Sequence, residues 1–176
     1  SSSPGAISFQ LQCRYAALVA KILLVPDSFK GSATSGEVAE SVAQGWLQVR
    51  PTDEITRIAF ADGGEGTVAA VKSAVKGSVR VPVVAQTGDG RDHDCYWLLV
   101  NGDIAIIEMA MICGITTVEK LDAIGAHSFG LGQVIAAAAG DARVNEIVIA
   151  VGGSASTDAG VGALMALGFE CVDETG

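Results

Sequence analysis

The stretch KILLVPDSFKGSATSGEV, residues 21–38, sets the pattern for the start of the fold. Its apolar run is ended by Pro26, which is typical of a strand buried on both faces. Thr34 and Glu37 then have capping-box spacing, and apolar residues follow at helical intervals. A strand, a short loop and a helix in this order predict one unit of a parallel α/β sheet.

The same alternation continues along the chain. Residues 55–60 predict a second strand, and Val68, Val71 and Val75 have helical spacing after it. Residues 79–84 then predict a third strand. Strands and helices that alternate through short connections predict a parallel sheet with right-handed crossovers.

The middle of the sequence departs from this pattern. Two strand-like runs, 95–100 and 103–109, flank Asn101-Gly102, which predicts a hairpin with a type I′ turn. Beyond it the sequence predicts a helix whose apolar face includes Leu131, a strand and a further helix. We therefore expect an α/β protein in three parts: a leader or non-native extension, residues 1–20; a first α/β domain, 21–86; and part of a second, mixed α/β domain, 87–176.

Composition limits the function classes. Hydrophobic residues make up 49% of the chain and charged residues 18%, as in a globular protein. The net charge of −9 and the absence of a lysine or arginine run argue against nucleic acid as a partner. No stretch reaches the roughly 18 apolar residues of a membrane span. We expect the partners to be small molecules.

The cysteines, at positions 13, 95, 113 and 171, have no CxxC spacing and no flanking histidines. A structural zinc site is therefore not expected. They are typical of free, buried thiols in a reducing compartment, which predicts a cytoplasmic protein.

The first of three polar loops is PDSFKGS, residues 26–32. Lys30 could bind a phosphate or a carboxylate as a point charge, and Asp27, at the end of the first strand, could bind a metal ion or a hydroxyl. Ser28 and Ser32 could contact the same anion. The alternative is a simple turn in which the serines cap the helix and Lys30 is solvated.

The second loop is ADGGEGT, residues 61–67. It contains more glycines than a plain turn requires, and glycine permits close approach of an anion to the backbone. Asp62 could act as a general base or a magnesium ligand, with Glu65 in the complementary role. Thr67 is predicted to cap the next helix. The glycines expected to contact phosphate are Gly63, Gly64 and Gly66.

The third loop is GGSASTDAG, residues 152–160. Backbone amides and hydroxyls here could form an anion cradle, with Asp158 as a third carboxylate and a further candidate metal ligand. The alternative is close packing of a helix on a strand. The residues assigned to the cradle are Gly152, Gly153, Ser154, Ser156 and Thr157.

Two further residues leave alternatives open. Glu108 lies at the end of a predicted strand, where it is either a ligand or a solvated charge. Ser128 precedes a predicted helix and is expected to cap it.

Several of these segments occur together, and in the same order, in a known family. The chain resembles the bacterial-type glycerate kinases in KILLVPDSFKGS (21–32), ADGGEGT (61–67), TGDG (87–90), IEMA (107–110), FGLG (129–132) and VGGSASTDAG (151–160). The resemblance implies a flavodoxin-like domain with a second α/β domain inserted. It also implies a cleft for glycerate and magnesium-ATP, with 2-phosphoglycerate as the product.

The chain departs from the family in the third loop. Residues 156–160 read STDAG, where the family usually has TNDGG, so Ala159 carries a methyl group where glycine is usual. The resemblance also implies a considerably longer complete chain, of which this is roughly the N-terminal half, and we expect this part alone to be inactive. A kinase of another small hydroxy acid, or a non-catalytic remnant of such a kinase, remains an alternative.

Overall fold

The computed structural model describes residues 19–29 and 32–172. Its contacts divide the chain into two compact units, one ending at Ala59 and the other beginning at Phe60. The predicted domain limits, 21–86 and 87–176, stay a prediction about the complete protein. The α/β class is confirmed, since helices accompany a two-stranded sheet and a four-stranded sheet.

The described part of the first unit, residues 19–29 and 32–59, contains two strands and one helix. Strand β1 is Lys21–Leu24, helix α1 is Ser35–Val49 and strand β2 is Glu54–Arg57. The two strands pair in parallel, as predicted. The predicted capping box of α1 is confirmed: Glu37 Oε2 accepts from the Thr34 amide at 2.8 Å, and the Thr34 hydroxyl accepts from the Glu37 amide at 3.3 Å.

A buried carboxylate connects the end of α1 to the start of β1. Asp53 Oδ2 accepts from Trp46 Nε1 at 2.9 Å and from Arg50 Nε at 2.6 Å, while its Oδ1 accepts from the Ala20 amide at 3.0 Å. These hydrogen bonds, led by those from Arg50, hold the pKa of Asp53 well below its usual range. The carboxylate therefore stays charged although it is buried, because both of its oxygens accept hydrogen bonds.

The second unit is built on the four-stranded sheet, with strand order β3-β4-β5-β6. Its elements are α2 (Thr67–Ala74), β3 (Val79–Gln86), β4 (Asp92–Val100), β5 (Ile104–Glu108), α3 (Met109–Cys113), α4 (Phe129–Ala139), β6 (Glu146–Ala150) and α5 (Val161–Ala166). Strands β5 and β6 are parallel, and the other neighbouring pairs are antiparallel.

The direction of β3 differs from the sequence prediction. Residues 79–84 were expected to continue a parallel sheet, but β3 runs antiparallel to β4. The reason is the short connection between them, in which the Thr87 amide donates to Arg91 O at 2.8 Å and the Gly90 amide to Thr87 O at 3.0 Å. A connection this short can only reverse the chain, because parallel strands need a long crossover.

The predicted hairpin between β4 and β5 is confirmed. Asn101 and Gly102 have φ of 53° and 90°, as the central residues of a type I′ turn require, and the Asp103 amide donates to Val100 O at 3.2 Å. From Cys95 to Val100, both side-chain faces of β4 are largely apolar. Trp97 faces one core and Leu98 the other.

Helices cover both faces of the sheet. Leu131, Val134 and Ala138 of α4 pack on the face that carries Trp97 and Ile107. The opposite face packs against α2 through its valines, Val68, Val71 and Val75. The central strands β4 and β5 are therefore largely buried on both faces along residues 95–100 and 105–108, which explains their apolar runs.

Two of the cysteines follow the prediction and one does not. Cys95 and Cys113 are buried, free thiols, and burial raises the pKa of each to about 11. Cys171 is free but exposed, and Cys13 lies outside the described residues. Within residues 19–29 and 32–172, no helix is both long and apolar enough to cross a membrane.

Candidate functional site

The second glycine loop, residues 61–67, leads directly into α2. The Asp62 side chain is exposed, and its Oδ1 accepts from the Gly64 amide at 3.2 Å. It makes no other hydrogen bond with the part of the chain that the structure describes. One carboxylate oxygen of Asp62 thus remains open to solvent, at the tip of a loop whose backbone is held in place.

Glu108 holds the far end of the same loop. It is 4% exposed, and its two oxygens accept from the amides of Gly66 at 3.0 Å and Val68 at 2.8 Å. The alternative of a solvated charge is therefore wrong. A carboxylate at these positions also complements the N-terminus of α2.

The third glycine loop lies against the second. The Gly152 amide donates to Gly63 O at 2.8 Å, and a Cβ at position 152 would lie 2.7 Å from the Cα of Gly64. Only glycine permits this separation between the two backbones. The structure thus brings together the loop that carries Asp62 and the loop that follows β6.

Asp158 is committed to contacts within the protein. Its Oδ2 accepts from the Ser128 amide and hydroxyl, each at 2.8 Å, and from the Gly162 amide at 3.0 Å. Its Oδ1 accepts from the Gly160 amide at 3.2 Å. Burial raises its pKa, but the hydrogen bonds from Ser128 and the glycines outweigh burial, so the pKa of Asp158 is lowered.

This arrangement changes the interpretation of the third loop. The amides of Gly160 and Gly162 point to the protein's own carboxylate, so the end of the loop next to α5 is already occupied by an anion. Asp158 therefore joins the starts of α4 and α5, through Ser128 and Gly162.

The beginning of the third loop has backbone amides that are open to a ligand, while its hydroxyls are hydrogen-bonded within the protein. The hydroxyls of Ser154 and Ser156 are 2.8 Å apart, and the Thr157 hydroxyl donates to Ala123 O. The amides of Gly153 and Ser154 have no hydrogen-bond acceptor among residues 19–29 and 32–172. The same holds, over those residues, for the amides of Gly63 and Glu65 in the facing loop.

The first loop belongs to the other unit. Asp27 is exposed, and its carboxylate accepts from the Ser28 amide at 2.7 Å. Ser32 is also exposed, and its amide closes a turn by donating to Phe29 O at 2.8 Å. Lys30 lies outside the described residues, so its assignment stays a prediction.

The donor set fits a magnesium ion only in part. Over residues 19–29 and 32–172, no three histidine, cysteine, aspartate or glutamate side chains lie close enough together to hold a metal ion. Magnesium, however, is commonly held by one or two carboxylates together with substrate phosphates. Asp62, with one oxygen uncommitted, fits that role, whereas the oxygens of Asp158 already accept from several donors.

Sequence reasoning missed the roles of Ser128 and Glu108. Ser128 stands at the start of α4 as predicted, but its side chain does not cap that helix. Its hydroxyl instead donates to Asp158 and accepts from the Ala163 amide at 3.0 Å. For Glu108 there was one signal: an acid inside the otherwise apolar run IAIIEMAMIC, residues 104–113.

Comparison with known proteins finds similarity to one family. The model of the glycerate kinase family matches residues 22–176. A glycerate kinase from Haemophilus influenzae is 39% identical over 87% of the chain, and a glycerate 2-kinase from Escherichia coli is 35% identical over 89%. A crystal structure from Salmonella typhimurium LT2, described as a glycerate kinase 2, superposes with a TM-score of 0.66 at 35% identity, covering 89% of this chain.

The match covers only part of those proteins. The chain spans 41% of the length of the two curated relatives and 43% of the Salmonella chain. The segments quoted from the sequence lie almost entirely within the matched range of 22–176. The chain belongs to the glycerate kinase family.

Proposed function

We propose that the complete protein containing this chain phosphorylates glycerate with ATP, by in-line attack of a glycerate hydroxyl on the γ-phosphoryl group. The family membership supports the substrate and the reaction class. The product would be phosphoglycerate, and 2-phosphoglycerate is the isomer that the resemblance favours. Such transfers depend mainly on positioning and on neutralisation of charge.

One observation carries the proposal: the second and third glycine loops lie backbone to backbone, with the exposed Asp62 carboxylate beside them. A Cβ on Gly153 would lie 3.9 Å from the amide nitrogen of Glu65, so these two stretches of backbone are neighbours. Unpaired backbone amides near a carboxylate with an unbonded oxygen suit a phosphorylated substrate that carries a cation.

Asp62 is proposed as the general base toward the glycerate hydroxyl or as a magnesium ligand. Magnesium, when bound with ATP, would neutralise phosphate charge. The Gly64 amide orients the Asp62 carboxylate, and the amides of Gly153 and Ser154 would donate to phosphate oxygens. Asp158 remains a weaker candidate for metal binding because its oxygens are occupied by Ser128 and Gly162.

The residues of the first loop keep the roles that the family resemblance implies. Lys30 is proposed to bind the substrate carboxylate or a phosphate, and Asp27 a hydroxyl or the metal ion. Ser28 and Ser32 would donate hydrogen bonds to the same anion. These roles rest on the resemblance of residues 21–32 to the family.

The test is a coupled assay of ADP release by the full-length protein, with a panel of small hydroxy acids and with or without magnesium. We expect turnover with glycerate that requires magnesium. Turnover with another acid, and none with glycerate, would replace the substrate assignment. No ADP release with any acid would favour the non-catalytic alternative.

Asp62→Asn tests the assignment of Asp62 within that assay. The asparagine keeps the hydrogen bond from the Gly64 amide, so we expect a folded protein whose kcat is lowered about 100-fold or more. Asp141→Asn is a matched control. Asp141 Oδ1 also accepts from the amide two residues later, that of Arg143 at 3.0 Å, but it lies before the opposite end of β6. Near-normal kcat in Asp62→Asn would make Asp62 a turn residue only.

A further inference from the structure

Glu108 is a buried carboxylate without a cationic partner. Among residues 19–29 and 32–172, no lysine, arginine or histidine forms an ion pair with it. Its hydrogen bonds come from two neutral backbone amides, those of Gly66 and Val68. Burying a charge destabilises the fold unless hydrogen bonds compensate for the lost water, so both bonds are needed to keep this carboxylate in place.

These two bonds fix the end of the loop that carries Asp62. The residue before α2, Gly66, has no side chain and a φ of 90°, so it supplies no cap of its own. Glu108 replaces that cap from another strand. The loop is held elsewhere by the Gly152 amide on Gly63 O at 2.8 Å. The backbone that follows Asp62 is therefore held at Gly63 by the third loop and at Gly66 and Val68 by Glu108.

Glu108 also lies beside the strand that leads into the third glycine loop. It is the last residue of β5 and pairs with Ala150, the last residue of β6, two positions before Gly152. After Glu108 the chain turns into α3, whose end is bonded to that loop: the Ile115 amide donates to Gly153 O and the Ala155 amide to Cys113 O, each at 3.0 Å.

We propose that Glu108 is a positioning residue that sets the geometry of the Asp62 loop against the third glycine loop. The proposal rests on the proposed function for its kinetic consequence. Glu108 does not contact substrate, because it is buried and both of its oxygens accept from the α2 amides. It acts through the backbone of residues 62–66.

Glu108→Gln tests the proposal because it keeps the size of the side chain but turns an NH₂ group toward an amide donor. We expect kcat of the full-length protein to fall about 10- to 100-fold, the usual range for an outer-shell partner. KM for glycerate and ATP should stay within about threefold, because the binding groups themselves remain. Glu108→Asp keeps the charge but shortens the reach, and it should recover part of the kcat.

A second measurement does not depend on activity. Hydrogen–deuterium exchange of the backbone amides in residues 62–68 should be about tenfold faster or more in Glu108→Gln than in the wild type, because the two bonds that protect this end of the loop are weakened. Asp141→Asn should change neither kcat nor exchange in this segment.

The outcomes separate the two proposals. A wild-type protein without kinase activity would contradict the proposed function, while exchange of residues 62–68 would still test Glu108. Wild-type kcat and wild-type exchange in folded Glu108→Gln would overturn the positioning role. If Glu108→Gln does not fold, Glu108→Asp decides: a kcat equal to the wild type would overturn the proposal, and a lowered kcat with unchanged KM would support it.

Discussion

Ala159 adopts a backbone conformation that few alanines adopt. Its φ is 52°, in the left-handed region, and Gly160 beside it has φ 83°. For a residue with a Cβ this conformation costs about 1–2 kcal/mol. The loop tolerates that cost because the bonds of Asp158 to the amides of Gly160 and Gly162 hold the next residues in place.

Ala159→Gly should therefore stabilise the protein. Relief of the backbone strain exceeds the extra entropy of glycine in the unfolded chain, so we expect an increase of about 0.5–1 kcal/mol in the free energy of unfolding. Urea denaturation followed by the fluorescence of Trp97, which is buried in the same unit, measures it. Ala137→Gly, on the exposed side of α4, is the control and should destabilise by about 1 kcal/mol. Destabilisation by both variants would contradict the strain argument.

Asp158→Asn should destabilise the second unit, because an amide cannot accept from all the donors that face this carboxylate. We expect a loss of about 1–3 kcal/mol at neutral pH. The pKa of Asp158 is lowered in the fold, so its contribution is complete above the ordinary value of 3.8 and is lost as the pH falls through the folded pKa. Melting temperatures from about pH 7 to about pH 2 should converge for wild type and variant at the acid end. A constant difference over that range would exclude Asp158 as the titrating group.

At the scale of elements, the contact between the two glycine loops is backbone on backbone. A methyl group at Gly152 would approach Gly64 N at 2.9 Å and Gly63 C at 3.0 Å, and no flexible side chain is available there to move away. Any side chain at position 152 would therefore push the two loops apart.

Gly152→Ala should therefore lower kcat by about 100-fold, as expected when a reacting group is displaced by about 1 Å. It should also destabilise the protein by about 1–3 kcal/mol through overpacking. Gly45→Ala in α1 is the control: nothing lies within 4 Å of the added methyl, and an alanine in a helix should stabilise by about 0.5–1 kcal/mol. Kinetics and thermal melts of both variants check this. Gly152→Ala with normal kcat would show that the spacing of the loops does not matter for turnover.

At the scale of the whole molecule, the first unit leaves much apolar surface uncovered. Its sheet has two strands among the described residues, and a sheet of that size is marginal without a packed partner. Leu23 of β1 is 59% exposed, and Val42 and Trp46, on the periodic face of α1, are 47% and 43% exposed. Exposed apolar surface of this kind is typical of an interface.

The 176-residue chain by itself should therefore be inactive and only marginally folded. We expect it to bind a hydrophobic dye strongly and to unfold without a sharp transition, whereas the full-length protein should do neither. The two proteins can be compared by dye fluorescence, by thermal scans and by the ADP assay. A cooperative transition together with kinase activity in the 176-residue chain would contradict this expectation.

The sequence by itself determined the features that depend on near neighbours. The α1 capping box needs Thr34 and Glu37, three residues apart, and the β4–β5 hairpin needs only Asn101 and Gly102 between apolar runs. The family could also be recognised from short segments. Each of these depends on local backbone preference or on residue identity.

Only the tertiary structure decided the direction of β3 and the partners of the carboxylates. Glu108 meets Gly66 across 42 residues, and Asp158 meets Ser128 across 30. Such pairs form when the sheet and its helices bring distant segments together, and no local pattern specifies which amides a given acid will reach. The sequence made Asp158 a candidate metal ligand, but it could not show that its carboxylate accepts hydrogen bonds at the starts of two helices.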